Sequence, residues 1–334
     1  MRARLVVLLT LIALGCAACG APSRTTPLVS AVTATVAATS RPIPAETFTA
    51  SPTPSATPTP VASAPPAPAP VDPGAPRTAP RDNYSVPALP RAAGDKTRVV
   101  VIDPGHADDE IGAAANGVVE KHSNLDMAFR VEAFLLAQGV RVVMTRRGDV
   151  RTYVGPPIAG YSATRRDLQA RIDLANDINA DIFVSLHSNG SASSADRGVE
   201  TYWDSLRPFA DANRTLASTI QRNVIGEMTN AGISVLDRGA KNDSCLRGFQ
   251  GRCFPLFLLG PGRGTTGAEV LQRGGTGDQA MTSRPTAMPG ALVELLFVSS
   301  PADAALLQSE DVRNGLARGV ARGILEYLNQ APRG

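Results

Sequence analysis

The chain has 334 residues, 43% of them apolar and 19% charged, enough for one or two domains with a sizeable core. Its 33 Lys and Arg against 30 Asp and Glu leave a net charge of +3, but that excess lies ahead of residue 93, beyond which 26 basic side chains face 27 acidic ones. A binder of the phosphate backbone carries its basic excess on the folded part, so nucleic acid is excluded as a partner.

In chain order, Arg2 and Arg4 precede an apolar run from Leu5 to Leu14 and a small-residue stretch from Gly15 to Gly20. Residues 1–20 therefore read as an export signal, too short to span a bilayer that needs about 20 apolar residues. The protein is expected in the periplasm or cell-wall space. Cys16 and Cys19 each sit in a lipobox-like setting without the usual apolar residue three positions earlier, so a lipid anchor and simple cleavage both fit. Residues 21–92 hold 17 of the 27 prolines among Ala, Ser and Thr, the composition of a disordered, extended linker.

From residue 93 to 334 the pattern alternates strand and helix. Arg98–Asp103, Val140–Thr145, Asp181–Leu186, Gly198–Trp203 and Ala291–Phe297 read as strands. Ser123–Gln138, Arg165–Asn179, Pro208–Thr229 and Ala302–Leu328 read as helices, the last as one or two. This order predicts an α/β fold, a single three-layer domain with a largely parallel twisted sheet flanked by helices.

Two of the three histidines, His106 and His187, follow the buried strands 98–103 and 181–186, and open α/β sheets gather their ligands at the carboxyl ends of strands. Glu120 lies between them, just ahead of the helix expected from Ser123. Two His and one carboxylate is the ligand composition of a catalytic zinc site that keeps a position open for water. Taken singly, each His is more often structural than a ligand. Glu294 interrupts the apolar strand Leu292–Val298, where a carboxylate needs a partner or a purpose. Arg171 is the candidate partner, and proton transfer at a zinc site the candidate purpose.

The blocks Val101–His106, Glu120-Lys121 with Asn124-Leu125, Gly139–Arg146, Arg171 with Ala175-Asn176, Ala180–Asn189, Gly198–Glu200 and Val293–Leu295 run in order through residues 97–330. This series resembles the zinc-dependent N-acetylmuramoyl-L-alanine amidases of the type-3 family. The resemblance implies Zn2+ held by His106, Glu120 and His187, with Glu294 as the catalytic carboxylate. It implies an enzyme that cleaves the amide between N-acetylmuramic acid and L-alanine in peptidoglycan, during wall turnover or cell separation. A wall-binding protein without turnover, or a zinc hydrolase of another wall amide, are the alternatives. The expected protein is a monomer that meets a membrane only through an N-terminal anchor.

The chain departs from the family pattern at Ala107-Asp108-Asp109, where Asp108 or Asp109 is expected to crowd the metal or to support a ligand. Leu296 replaces a common Gly and is expected to narrow the cleft wall. His122 is expected at the surface or behind the ligands rather than on the metal. Arg171 and Arg197 are the basic residues expected near peptide carboxylates. Cys245 and Cys253 enclose seven residues and, in an exported protein, read as a disulfide. The Gly-rich stretch 260–277 lacks the phosphate-loop pattern and reads as a mobile loop beside the cleft, and the Gly and Pro density of 260–289 argues against an inhibitory helix.

Overall fold

The structure, a computed structural model, describes residues 84–87, 94–158, 162–249, 252–261, 264–265 and 281–331. The export signal, most of the Pro-rich segment and most of the Gly-rich stretch lie outside these residues. All described residues belong to the compact unit Pro68–Gly334.

Its centre is a six-stranded sheet. In chain order the strands are β1 (Val99–Pro104), β4 (Arg141–Met144), β5 (Ile182–Asn189), β6 (Val199–Trp203), β7 (Asp237–Asn242) and β12 (Gly290–Phe297). Their spatial order is β4-β1-β5-β12-β6-β7. All neighbours run parallel except β12 and β6. Three short hairpins complete the strands: β2 (Ala114–Ala115) with β3 (Val118–Val119), β8 (Arg247–Phe249) with β9 (Arg252–Phe254), and β10 (Gly264–Thr265) with β11 (Met281–Thr282). The largely parallel α/β sheet is thus observed as expected. Strand β7 was not foreseen, because Asp237–Asn242 has no apolar alternation and joins the sheet by edge pairing alone.

Helices cover both faces. On one lie α1 (Glu120–Leu136), α3 (Ala210–Asn230), α4 (Pro301–Gln308) and α5 (Glu310–Gln330); on the other lies α2 (Ala163–Asp177). Val100, Ile102, Val184 and Val293 pack toward the first set, and Val99, Val101 and Phe183 toward Ile172 and Leu174 of α2. The alternation along β1 is the period of two that a strand imposes when both faces are buried. Helix α5 approaches α3 closely: a Cβ on Gly319 would lie 2.6 Å from the Val224 Cα, so glycine sets the separation of the two axes. Ser162 caps α2 by accepting from the Arg165 amide, and Ser300 caps α4 with Pro301 at its first position. Tyr84 bridges to Tyr153 and donates its hydroxyl to Asp177, and Val86 is buried against the α2 face, so this short part of the Pro-rich segment packs on the domain.

Helix α1 begins at Glu120, three residues ahead of the expected start. The amides of Glu120 and Lys121 donate to the carbonyls of Ala113 and Ile111, so the preceding hairpin closes the first turn and no side-chain cap is needed. Strand β5 likewise runs three residues past its expected end, because Phe297 of the neighbouring strand β12 and Val298 just after it pair with Asn189.

Candidate active site

The carboxyl end of β1 delivers His106 on a left-handed turn, with φ of 62°. Such a backbone is uncommon for a residue with a side chain and needs support from its surroundings. Two buried guanidiniums give that support. Arg171, 1% exposed, donates to Asp103, Asp167 and the carbonyls of Pro104 and His106. Arg146 donates to the carbonyls of Pro104, Gly105, Lys121 and Gly148. Gly105 cannot carry a side chain, since its Cβ would overlap the His187 ring.

These pairs fix charges in the interior. Burial would raise the Asp103 carboxyl, but Arg171, Thr145 and Ser185 outweigh it and hold it below the usual range. Burial would lower Arg171, but Asp103 and Asp167 reverse the sign and raise it. Arg146 has no carboxylate of its own, and burial together with neighbouring Arg171 brings it down to about 10.

His106, Glu120 and His187 converge. Glu120 Oε1 lies 2.9 Å from His106 Nε2 and 2.9 Å from His187 Nδ1. The two imidazoles meet edge to face with centroids 4.8 Å apart, and the three ligand atoms lie within 4.8 Å of one another. Glu120 Oε2 accepts from the Ala113 amide at 2.7 Å. The helix start, with its partial positive charge, also favours the carboxylate. Burial opposes ionisation of Glu120, yet hydrogen bonds from both histidines hold it far below the usual value. Two nitrogens and one carboxylate oxygen facing an open cleft suit a divalent ion that prefers mixed nitrogen and oxygen ligands.

A residue not foreseen completes the group. Glu110 places its carboxylate 2.7 Å and 2.8 Å from His106 Nδ1, the nitrogen turned away from the other ligands. A carboxylate there fixes the ring's tautomer and orientation. Burial alone would lower His106; Glu110 and Glu120 together raise it to about 9. Asp108 and Asp109, by contrast, do not crowd the ligands. The Asp108 amide donates to Asp149, and both carboxylates pair with Arg151. His122 is exposed and lies 3.6 Å from Asp149, as expected of a surface residue.

Glu294 stands in register with His187 on one side and Glu200 on the other, so all three project from one face of the sheet. It lines a cleft of ≈ 640 Å³ together with His106, Glu110, Glu120, His187 and Asn189. Arg171 is not its partner, and it is also excluded from binding a substrate in the cleft, because Asp103 and Asp167 occupy it in the interior. Leu296 does not narrow the cleft. It takes φ of 69° at a bulge in β12 and its side chain is buried in the core, so the backbone conformation rather than the cleft wall is what a Gly serves at this position.

Cys245 is exposed and disulfide-bonded, and Cys253 lies on β9, whose side chains are outside the described residues. Residues 266–280 of the Gly-rich stretch are outside them as well.

A family model described as N-acetylmuramoyl-L-alanine amidase matches residues 100–326. Among curated proteins, the chain is similar to the N-acetylmuramoyl-L-alanine amidase LytC of Bacillus subtilis strain 168, with 29% identity over 228 residues. That match covers 68% of this chain and 35% of LytC, so the chain spans about a third of that relative's length. It is similar to the germination-specific N-acetylmuramoyl-L-alanine amidase of the same organism, at 28% identity over 70% of this chain and 81% of the relative. Among solved structures it resembles the N-acetylmuramoyl-L-alanine amidase AmiC2 of Nostoc punctiforme, with a TM-score of 0.50 and 26% identity over 70% of this chain and 98% of that one.

Proposed function

The chain belongs to the N-acetylmuramoyl-L-alanine amidase family, and from that premise we propose that it is an exported zinc enzyme hydrolysing the amide between N-acetylmuramic acid and L-alanine in peptidoglycan. The observation that carries the reading is the convergence of His106, Glu120 and His187 at a cleft that Glu294 also lines. His106, Glu120 and His187 would hold the ion. When bound, zinc supplies Lewis acidity to the scissile carbonyl and to a water in the cleft.

The chain's own residues handle the proton. Glu294 accepts it from the attacking water and returns it to the nitrogen of the leaving peptide, which departs as a free amine. Glu110 keeps the His106 ring oriented throughout. The reading also takes residues 1–20 as the export signal and Cys245–Cys253 as a bridge closing the β8–β9 hairpin. Labelling with a fatty acid decides between a lipid anchor at Cys16 or Cys19 and simple cleavage. Alkylation and mass measurement with and without reductant test the bridge.

The deciding experiment is digestion of purified cell wall with and without chelator, followed by mass spectrometry of the new amine. Release of peptides with free N-terminal alanine, stopped by chelator, is the expected result. Cleavage within the stem peptide, loss of acetyl groups, or binding without any new amine would each reject the assignment.

A further inference from the structure

The row of charged residues that begins at His187 does not stop at Glu294. His187 on β5, Glu294 on β12 and Glu200 on β6 follow one another in register across the sheet. Glu200 is buried, and its two oxygens have different surroundings. Oε1 accepts from Asn189 Nδ2 at 2.8 Å and from the Tyr202 hydroxyl at 2.7 Å; Asn189 itself lines the cleft. Oε2 accepts from Arg238 Nε at 2.6 Å and Lys241 Nζ at 2.5 Å, both on the edge strand β7.

One buried carboxylate therefore holds two cations. The two cations remain open to solvent, Lys241 with 37% of its side chain exposed and Arg238 with 28%. Lys241 has three N–H donors and gives one to Glu200. The guanidinium of Arg238 is also fixed over the Phe297 ring at 4.9 Å, and Asp196 is the nearby acid that acts on it besides Glu200.

We propose that Arg238 and Lys241 form a subsite for a carboxylate of the peptide portion of the substrate. This inference rests on the amidase reading. From Glu294 on β12 to β7 is two strand spacings, about 10 Å. An extended peptide advances at most about 3.3–3.6 Å per residue, so the subsite lies within reach of an acidic residue about two or three positions beyond the scissile bond. Stem peptides carry such carboxylates on their acidic residues. Glu200 would be the positioning residue, holding both cations at the cleft side of β7 while Asn189 links it to the cleft wall.

The test uses the full zinc-loaded chain and two synthetic muramoyl tripeptides, identical except for a free carboxylate or a carboxamide on the acidic residue. The expected wild-type preference for the carboxylate is about tenfold in kcat/KM, the size of one hydrogen bond to a charged group. Lys241→Gln and Arg238→Gln, made singly and checked for zinc content, should each reduce that preference toward one. In the wild type the preference should also shrink as ionic strength rises, a readout that needs no variant. Equal kcat/KM for the two substrates, or a preference unchanged by either variant and by salt, overturns the subsite and leaves the amidase reading standing. Cleavage of neither substrate overturns both.

Discussion

Glu294 and His187 stand side by side on adjacent parallel strands, β12 and β5, at matching register. That pairing puts a carboxylate beside a metal-ligating imidazole without any loop having to fold over the site. It makes the role of Glu294 separable from metal binding. Glu294→Gln should lower kcat by about 10²–10⁴-fold, the usual contribution of a positioned acid–base group, with zinc stoichiometry unchanged. Wild-type turnover in that variant would exclude the residue from proton transfer.

Metal removal tests the other half of the site. Dialysis against chelator should abolish hydrolysis, and one equivalent of zinc per chain should restore it, because His106, Glu120 and His187 supply a single set of ligand atoms within 4.8 Å. Metal analysis after gel filtration gives the stoichiometry. Activity surviving complete chelation would remove the ion from the reaction.

Glu110 is predicted to act on affinity. Its carboxylate meets the far nitrogen of His106, and loss of such a partner typically weakens a metal site about 10–100-fold. Competition with a chromophoric chelator should show that loss in Glu110→Gln, while Asp109→Asn, whose carboxylate pairs with Arg151 instead, should leave affinity unchanged.

The Asp103–Arg171 pair should govern acid stability. Both side chains are buried, and Arg171→Met leaves Asp103 without its countercharge, a change that costs about 3–5 kcal/mol. Because the Asp103 carboxyl is held below its ordinary value, its contribution is complete above about pH 4 and disappears as pH falls through the lower folded value. Urea midpoints measured from pH 7 down to pH 3 should show that loss in the wild type and a shallower acid limb in Asp103→Asn.

Asp204 and Asp243 predict the opposite slope. Both are buried; burial, reinforced by the nearby Asp204 carboxyl, pushes Asp243 up to about 8. The folded chain thus keeps a proton that the unfolded chain releases near pH 4, and stability falls between those values and levels off above the upper one. Asp243→Asn should be more stable than the wild type at neutral pH, with a gain that grows from about pH 4 to about pH 8. Urea titration across that window measures it, and a pH-independent difference would refute the retained proton on Asp243.

Much of the architecture was legible because buried strands announce themselves: Val99–Pro104, Ile182–Asn189 and Gly290–Phe297 are largely apolar runs, interrupted at the cleft by His187, Asn189 and Glu294. His106, Glu120 and His187 were legible for the same reason, as scarce ligand types beside such strands. Glu110 was not, although it follows His106 by four residues, because Asp108 and Asp109 compete for attention at the same turn and only the backbone path decides which acid faces the ring. Strand β7 was hidden by its polar sequence, and the fate of Arg171 by long-range pairing: Asp103 lies 68 positions away, a distance no local pattern reports.

The contact between Ala113 and Glu120 runs both ways, the amide of each bonded to an oxygen of the other. It ties a helix start, a hairpin and a metal ligand into one closed ring, and His106 is only 14 positions from Glu120. His187 is 67 positions from Glu120 and arrives only when β5 has joined β1. The two halves of the site therefore differ in the loop that must be closed to form them, one short and one long. An ion held by all three residues belongs to a chain whose central sheet is already assembled, so occupancy of the site is a marker of completed folding.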